Sequence, residues 1–169
     1  MFTRRAAPAA ILIGGTAMAG LGSLFGGGSK TESAENFPVK KTDAEWKAQL
    51  SRESYHVLRE HGTERAGTSP LDHEKRKGTF ICMGCDKKLF ASDTKFNSGT
   101  GWPSFFQPLP GAVATSTDTQ FFMKRVEVHC ADCGGHLGHV FEDGPKPTGL
   151  RYCMDGFALV FHPAAPSAS

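Results

Sequence analysis

The sequence predicts a mainly β protein of antiparallel strands, and three observations carry that prediction. Twenty glycines, ten prolines and thirteen phenylalanines in 169 residues call for many turns between short, aromatic-rich strands rather than a helical bundle. In "RVEVHCADC" apolar and polar residues alternate, setting Val126, Val128 and Cys130 on one face. Two C-x-x-C units read as knuckle turns, the first between the two halves of "GTFICMGCDKKLF". A hydrophobic content of 39% is enough for one compact domain once any tail is set aside. The formal charge is +2, and without the first 36 residues the balance is 16 basic to 15 acidic side chains, so no broad field favours nucleic acid.

Taken in chain order, residues 1–36 differ in kind from the rest. Arg4 and Arg5 precede an uncharged run from Ala6 to Ser29, the pattern of an export signal of twin-arginine type. Ala17-Met18-Ala19 offers a small-residue cleavage site, and Gly26 to Asn36 reads as a flexible linker. Seven glycines between Gly14 and Gly28 make the run weakly hydrophobic, so an uncleaved membrane anchor is the alternative rather than the main reading. The expectation is a periplasmic or otherwise exported protein, with no membrane association once the leader is removed. The folded domain is expected over residues 37–165, with 166–169 as a short tail.

Thr42 and Glu45 stand at capping-box spacing, and Trp46 with Leu50, then Tyr55 with Leu58, fall at helical intervals. One or two short amphipathic helices on the edge of the domain follow, with Gly62 as the stop and the aromatic residues used for packing. "LDHEKRKG" reads as a solvated charged loop. "GTFIC" and "KLF" are strands around the first knuckle, "RVEVHC" leads into the second, and "FALVFHP" is a late strand. "SGTGWPSF" and "EDGPKPTG" are turn-rich and read as the loops where a β scaffold carries its chemistry.

Cys82 and Cys85 are followed, after 44 residues, by Cys130 and Cys133. Four thiolates at this spacing can converge on a tetrahedral zinc ion with bonds of about 2.3 Å, leaving no open position, so the metal would be structural. Two disulfides in an oxidising compartment, or a redox dithiol, are competing readings, and the matched pair of turns argues against both. A histidine of "HCADCGGHLGH" replacing one cysteine is a further variant.

Cys153 lies at least 19 residues from any other cysteine. It reads either as a small core residue or as a nucleophile. Arg151 would favour its thiolate, and His136 and His139 in "HLGHVF" supply a proton donor and an orienting partner. No phosphate loop and no G-x-S-x-G elbow are present in the sequence.

From about Asp43 to Pro163 the chain resembles methionine sulfoxide reductase B, through "GTFICMGCDKKLF", "KFNSGTGWPSF", "HCADCGGHLGHVFEDGP" and "RYCMDGFALVF" in that order. The resemblance implies two antiparallel sheets in a β-tent with short peripheral helices, a structural zinc, and reduction of the R epimer of methionine sulfoxide, the peptide-methionine (R)-S-oxide reductase reaction. It further implies that Cys153 attacks sulfur, that His136 and His139 protonate the leaving oxygen, that Trp102 packs against the substrate methyl group, and that Arg151 steadies the local charge. The substrate would be oxidised methionine in proteins, and the protein a monomer. An apolar indole wall disfavours the epimer whose oxygen faces it.

Two positions depart from the family pattern. Many members have a resolving cysteine where this chain has Thr100, so the sulfenic acid left on Cys153 is expected to be reduced by an external thioredoxin-like protein or small thiol; a zinc cysteine acting as resolver is the alternative. Asp155 stands where the family usually has Asn, and an ionised carboxylate there would raise the pKa of a nearby thiol unless it is protonated or turned away. Readings from other classes are a zinc-dependent binding or chaperone module without catalysis, and a dithiol reductase acting through Cys82 and Cys85.

Overall fold

The computed structural model describes residues 37–118 and 125–165. Thr42 closes a capping box with Glu45 and starts α1 (Asp43–Gln49). The Ser51 hydroxyl accepts from the Ser54 N–H and starts α2 (Arg52–Glu60). That helix ends one residue before the glycine the sequence points to: His61 adopts the left-handed cap with φ 55°, and its N–H returns to the His56 carbonyl. Trp46, Val57 and Leu58 are buried, so the helices pack through the aliphatic and aromatic stripe the periodicity predicts.

Nine strands follow among the described residues: β1 (Gly78–Cys82), β2 (Lys88–Ala91), β3 (Lys95–Phe96), β4 (Ser104–Phe105), β5 (Val113–Asp118), β6 (Arg125–Cys130), β7 (His136–Phe141), β8 (Arg151–Met154) and β9 (Leu159–Pro163). They form two antiparallel sheets, β2-β1-β9 and β3-β4-β8-β7-β6-β5, as the sequence predicts. The sheets meet at phenylalanines. Phe105 of β4 stacks on Phe90 of β2 with ring centroids 4.3 Å apart and meets Phe80 of β1 edge-on at 4.9 Å. All three are fully buried, each adding roughly 2–3 kcal/mol of apolar burial.

The six-stranded sheet has one apolar and one polar face. Val128, Met154 and Phe105 point into the core. One row of register partners on the opposite face runs Ser116, Glu127, His139, Cys153, Ser104 across five strands. Alternation dictates this: a residue whose neighbours on both sides face the core must face away from it.

His136 would break the pattern in a regular strand, because it stands three positions before His139 and strict alternation puts them on opposite faces. The β6–β7 register steps from Val128↔Gly138 to His129↔His136, leaving Leu137 as the extra residue of a bulge. The bulge turns His136 back to the face of His139. Gly138 permits it, with φ 144° and its α-carbon so near β8 that a Cβ there would lie 2.1 Å from the Cys153 carbonyl oxygen.

Candidate active site

Cys153 sits half-buried in the middle of the polar row. Its Sγ lies 3.8 Å from Thr100 Oγ1. A chain of hydroxyls continues from there: Thr100 to Ser98 at 2.8 Å, Ser98 to Ser104 at 2.7 Å, and Ser104 donating to the Trp102 carbonyl at 3.0 Å. Burial pushes the Cys153 thiol up, while the Thr100 contact and the Arg151 charge pull it down by less. The expectation that Arg151 favours the thiolate thus holds in sign but is outweighed by desolvation. Its guanidinium is engaged elsewhere, bonded twice to Asp143 at 2.8 and 2.9 Å and stacked over Phe141.

The two histidines come together as the sequence predicts, with ring centroids 5.4 Å apart, and each is braced by a carboxylate. His139 Nε2 bonds Asp118 Oδ2 at 2.9 Å, and burial, offset in part by that bond, lowers its pKa. His136 Nδ1 bonds Glu127 Oε1 at 2.6 Å. Its Nε2 is buried without a hydrogen-bond partner among the described residues, 3.9 Å from Asp155 Oδ2. Burial alone would raise the pKa of Glu127, but the bonds from His136 and His61 hold its carboxylate well below the usual range.

Asp155 is turned inward, its Oδ1 accepting the Glu64 N–H at 2.8 Å. Burial pushes its pKa up to about 6, against the Glu64 N–H bond and the His136 charge. Its like-charge effect on Cys153 is present but smaller than those of burial, Thr100 and Arg151.

Glu64 ties the site together. Its carboxylate accepts the Gly156 and Phe157 N–H groups at 2.8 and 3.0 Å, its N–H holds Asp155, and its carbonyl accepts Trp102 Nε1 at 3.2 Å. Glu64, Glu127 and Asp118 were not among the residues the sequence singles out. For Glu127 a signal exists, since it is the acidic member of an alternating strand and therefore faces away from the core. Nothing in "GTERAG" or "VATSTD" marks the other two.

Where β1 and β6 end, the four knuckle cysteines converge, every sulfur within 4.8 Å of the others. Cys82 and Cys133 are 3.7 Å apart, Cys85 and Cys130 3.5 Å. A tetrahedral ion with bonds of about 2.3 Å requires sulfurs about 3.8 Å apart, so the donor set could hold zinc. None of the four is paired in a disulfide here, and no histidine joins the cluster among the described residues. Lys87 bridges the two knuckles to Asp132 at 2.7 Å, and Gln49 and Arg59 bond the Gly84 and Cys133 carbonyls at 2.8 and 3.1 Å. Cys153 stands outside this cluster.

On this β scaffold, apart from the four-thiol knuckle pair, a half-buried thiol and two carboxylate-braced imidazoles share one face of a sheet, the arrangement a thiol-dependent site would need. Residues 50–163 match the SelR domain. The chain is 57% identical to a peptide methionine sulfoxide reductase MsrB of Agrobacterium fabrum over 126 residues, covering 74% of this chain and 93% of that one. It is 51% identical to the namesake of Leptospira interrogans, covering 75% and 97%, and 53% identical to that of Methanosarcina barkeri, covering 73% and 87%. The chain belongs to the SelR family, that of methionine sulfoxide reductase B.

Proposed function

We propose that the protein reduces methionine sulfoxide, the R epimer in particular, in oxidised proteins. The observation that carries this reading is the row that sets Cys153 opposite His139 with His136 turned to the same side. Cys153 sulfur attacks the sulfoxide sulfur. His136 and His139 deliver a proton to the departing oxygen, and the thiol gives up its own proton as the bond forms. The substrate S–O bond and the transient S–S bond to Cys153 then break as the oxygen, with its proton, passes to the Cys153 sulfur, so that methionine leaves and Cys153 is left as a sulfenic acid. Two external thiols then return Cys153 to the thiol, yielding a disulfide between them and water. The Trp102 indole, oriented by its bond to the Glu64 carbonyl, walls the substrate methyl group. Thr100, beside Cys153, has no sulfur with which to resolve the intermediate. The tetrad holds a structural zinc. We further propose that residues 1–36, which lie outside the described residues, direct export; fractionation of cells carrying the full chain with and without Arg4→Lys plus Arg5→Lys tests this.

The test is an epimer-resolved assay on a peptide containing methionine sulfoxide, with a dithiol reductant. Wild type is expected to consume the R epimer alone, and Cys153→Ser neither. Turnover by Cys153→Ser, or equal consumption of both epimers, contradicts the proposal.

A further inference from the structure

Beside the site, and sharing one of its histidines, lies a second set of metal-type donors. Glu127 Oε1 accepts from two imidazoles at once: His136 Nδ1 at 2.6 Å and His61 Nδ1 at 2.9 Å. The three ligand atoms all lie within 4.8 Å of one another. Two imidazole nitrogens and a carboxylate, with a fourth position left to water, form the donor set of an open zinc site. A tetrahedral ion with bonds of about 2.0–2.1 Å needs donors about 3.3 Å apart, within reach of small side-chain rotations from this arrangement.

The surroundings suit a cation. His61 is 41% exposed and opens the cluster to solvent, whereas His136 is 3% exposed and fixes its inner end. Glu127 is anchored from behind by the Ser116 hydroxyl at 3.0 Å, which fixes the direction of its carboxylate. Metal at His136 Nδ1 requires the ring proton on Nε2, and Nε2 is the nitrogen that has no hydrogen-bond partner now and faces Asp155 Oδ2. Asp155 would then accept the Nε2 proton and hold the ring in place, the usual arrangement of a metal-bound histidine.

We infer that His61, Glu127 and His136 form a second Zn²⁺ site, distinct from the four-thiol cluster, whose occupation silences the enzyme by taking His136 out of proton transfer. Binding displaces the Nδ1 protons of both histidines, to solvent or to the Nε2 atoms, with no change of oxidation state. The inhibitory half rests on the function proposed above for His136; the binding half does not.

The experiment titrates Zn²⁺ into the full-length, zinc-loaded protein against a chromophoric chelator weaker than the tetrad, with sulfoxide turnover measured in parallel. A second equivalent is expected in wild type and in Cys153→Ser, and turnover in wild type falls as it binds. His61→Ala, a surface change, is expected to weaken the second equivalent at least about 10-fold and to resist inhibition by the same factor. Absence of a second equivalent in wild type overturns the site, as does its persistence at full affinity in His61→Ala. Loss in Cys153→Ser would assign the ion to the thiol and also overturn it. Binding of the second equivalent with undiminished turnover overturns the inhibitory half, and counts against His136 as the proton source.

Discussion

The titration of Cys153 is set by burial on one side and by Thr100 and Arg151 on the other, and burial prevails, holding the thiol above its ordinary range. Thr100→Val removes one of the two opposing contacts, and the thiol titration, followed by ultraviolet absorbance of the thiolate, is expected to move to higher pH. Turnover at pH 7 should fall by about 3- to 30-fold. Thr100→Cys, in contrast, sets a second thiol beside the sulfenic acid. Stoichiometric sulfoxide should then leave an intramolecular disulfide visible by mass, where wild type leaves an oxygenated cysteine. Asp155 gives a pH signature of its own. Its pKa of about 6 in the folded chain exceeds the ordinary 3.8, so the fold holds this proton more tightly than the unfolded chain does. The stability it contributes is complete below about pH 4 and lost as pH rises through 6. Asp155→Asn should therefore be more stable than wild type above pH 6 by about 1–3 kcal/mol, with the difference shrinking toward pH 4 in denaturant titrations.

The elements decide which side chains can meet, and the bulge in β7 is the decisive one. Gly138→Ala would drive a methyl group into the β8 backbone at Cys153. We expect it to cost about 2–4 kcal/mol and to abolish turnover while secondary structure, followed by far-ultraviolet circular dichroism, is largely kept. Here the limits of the sequence become physical. The strands around both knuckles, the capped helices and the final strand are legible because turn residues and periodicity mark them locally. The strands over "VATSTD" and "RYCM" are not, since the first has only Val113 and Ala114 ahead of a polar run and the second is only four residues long. Nor does "HLGHVF" announce a bulge: only the register against β6 reveals it. Cys153, His136 and His139 were readable as residue types and through the family resemblance, whereas Glu64 acts through backbone groups of residues some ninety positions away, which no local pattern encodes.

At the scale of the whole molecule, the two sheets share one phenylalanine core, and the knuckles and both helices converge on the cysteine tetrad. Metal bound there is linked to folding, so strong chelators or Cys130→Ser should lower the unfolding midpoint well beyond the effect of a single core truncation of about 2–5 kcal/mol, with activity lost only as the fold is lost. Cys153→Ser should leave that midpoint nearly unchanged, because its sulfur takes no part in the cluster. Topology keeps the proposed nucleophile apart from the tetrad: β1 and β6 end in the knuckles, while β8 carries its cysteine in mid-sheet. The most direct measurement is the mass of the zinc-loaded protein after one equivalent of an (R)-methionine sulfoxide peptide, with no reductant present. One oxygen atom should appear on Cys153 for each methionine formed, with the other four cysteines unchanged. Methionine formed with Cys153 unmodified, or with oxidation confined to Cys82, Cys85, Cys130 or Cys133, would contradict the account.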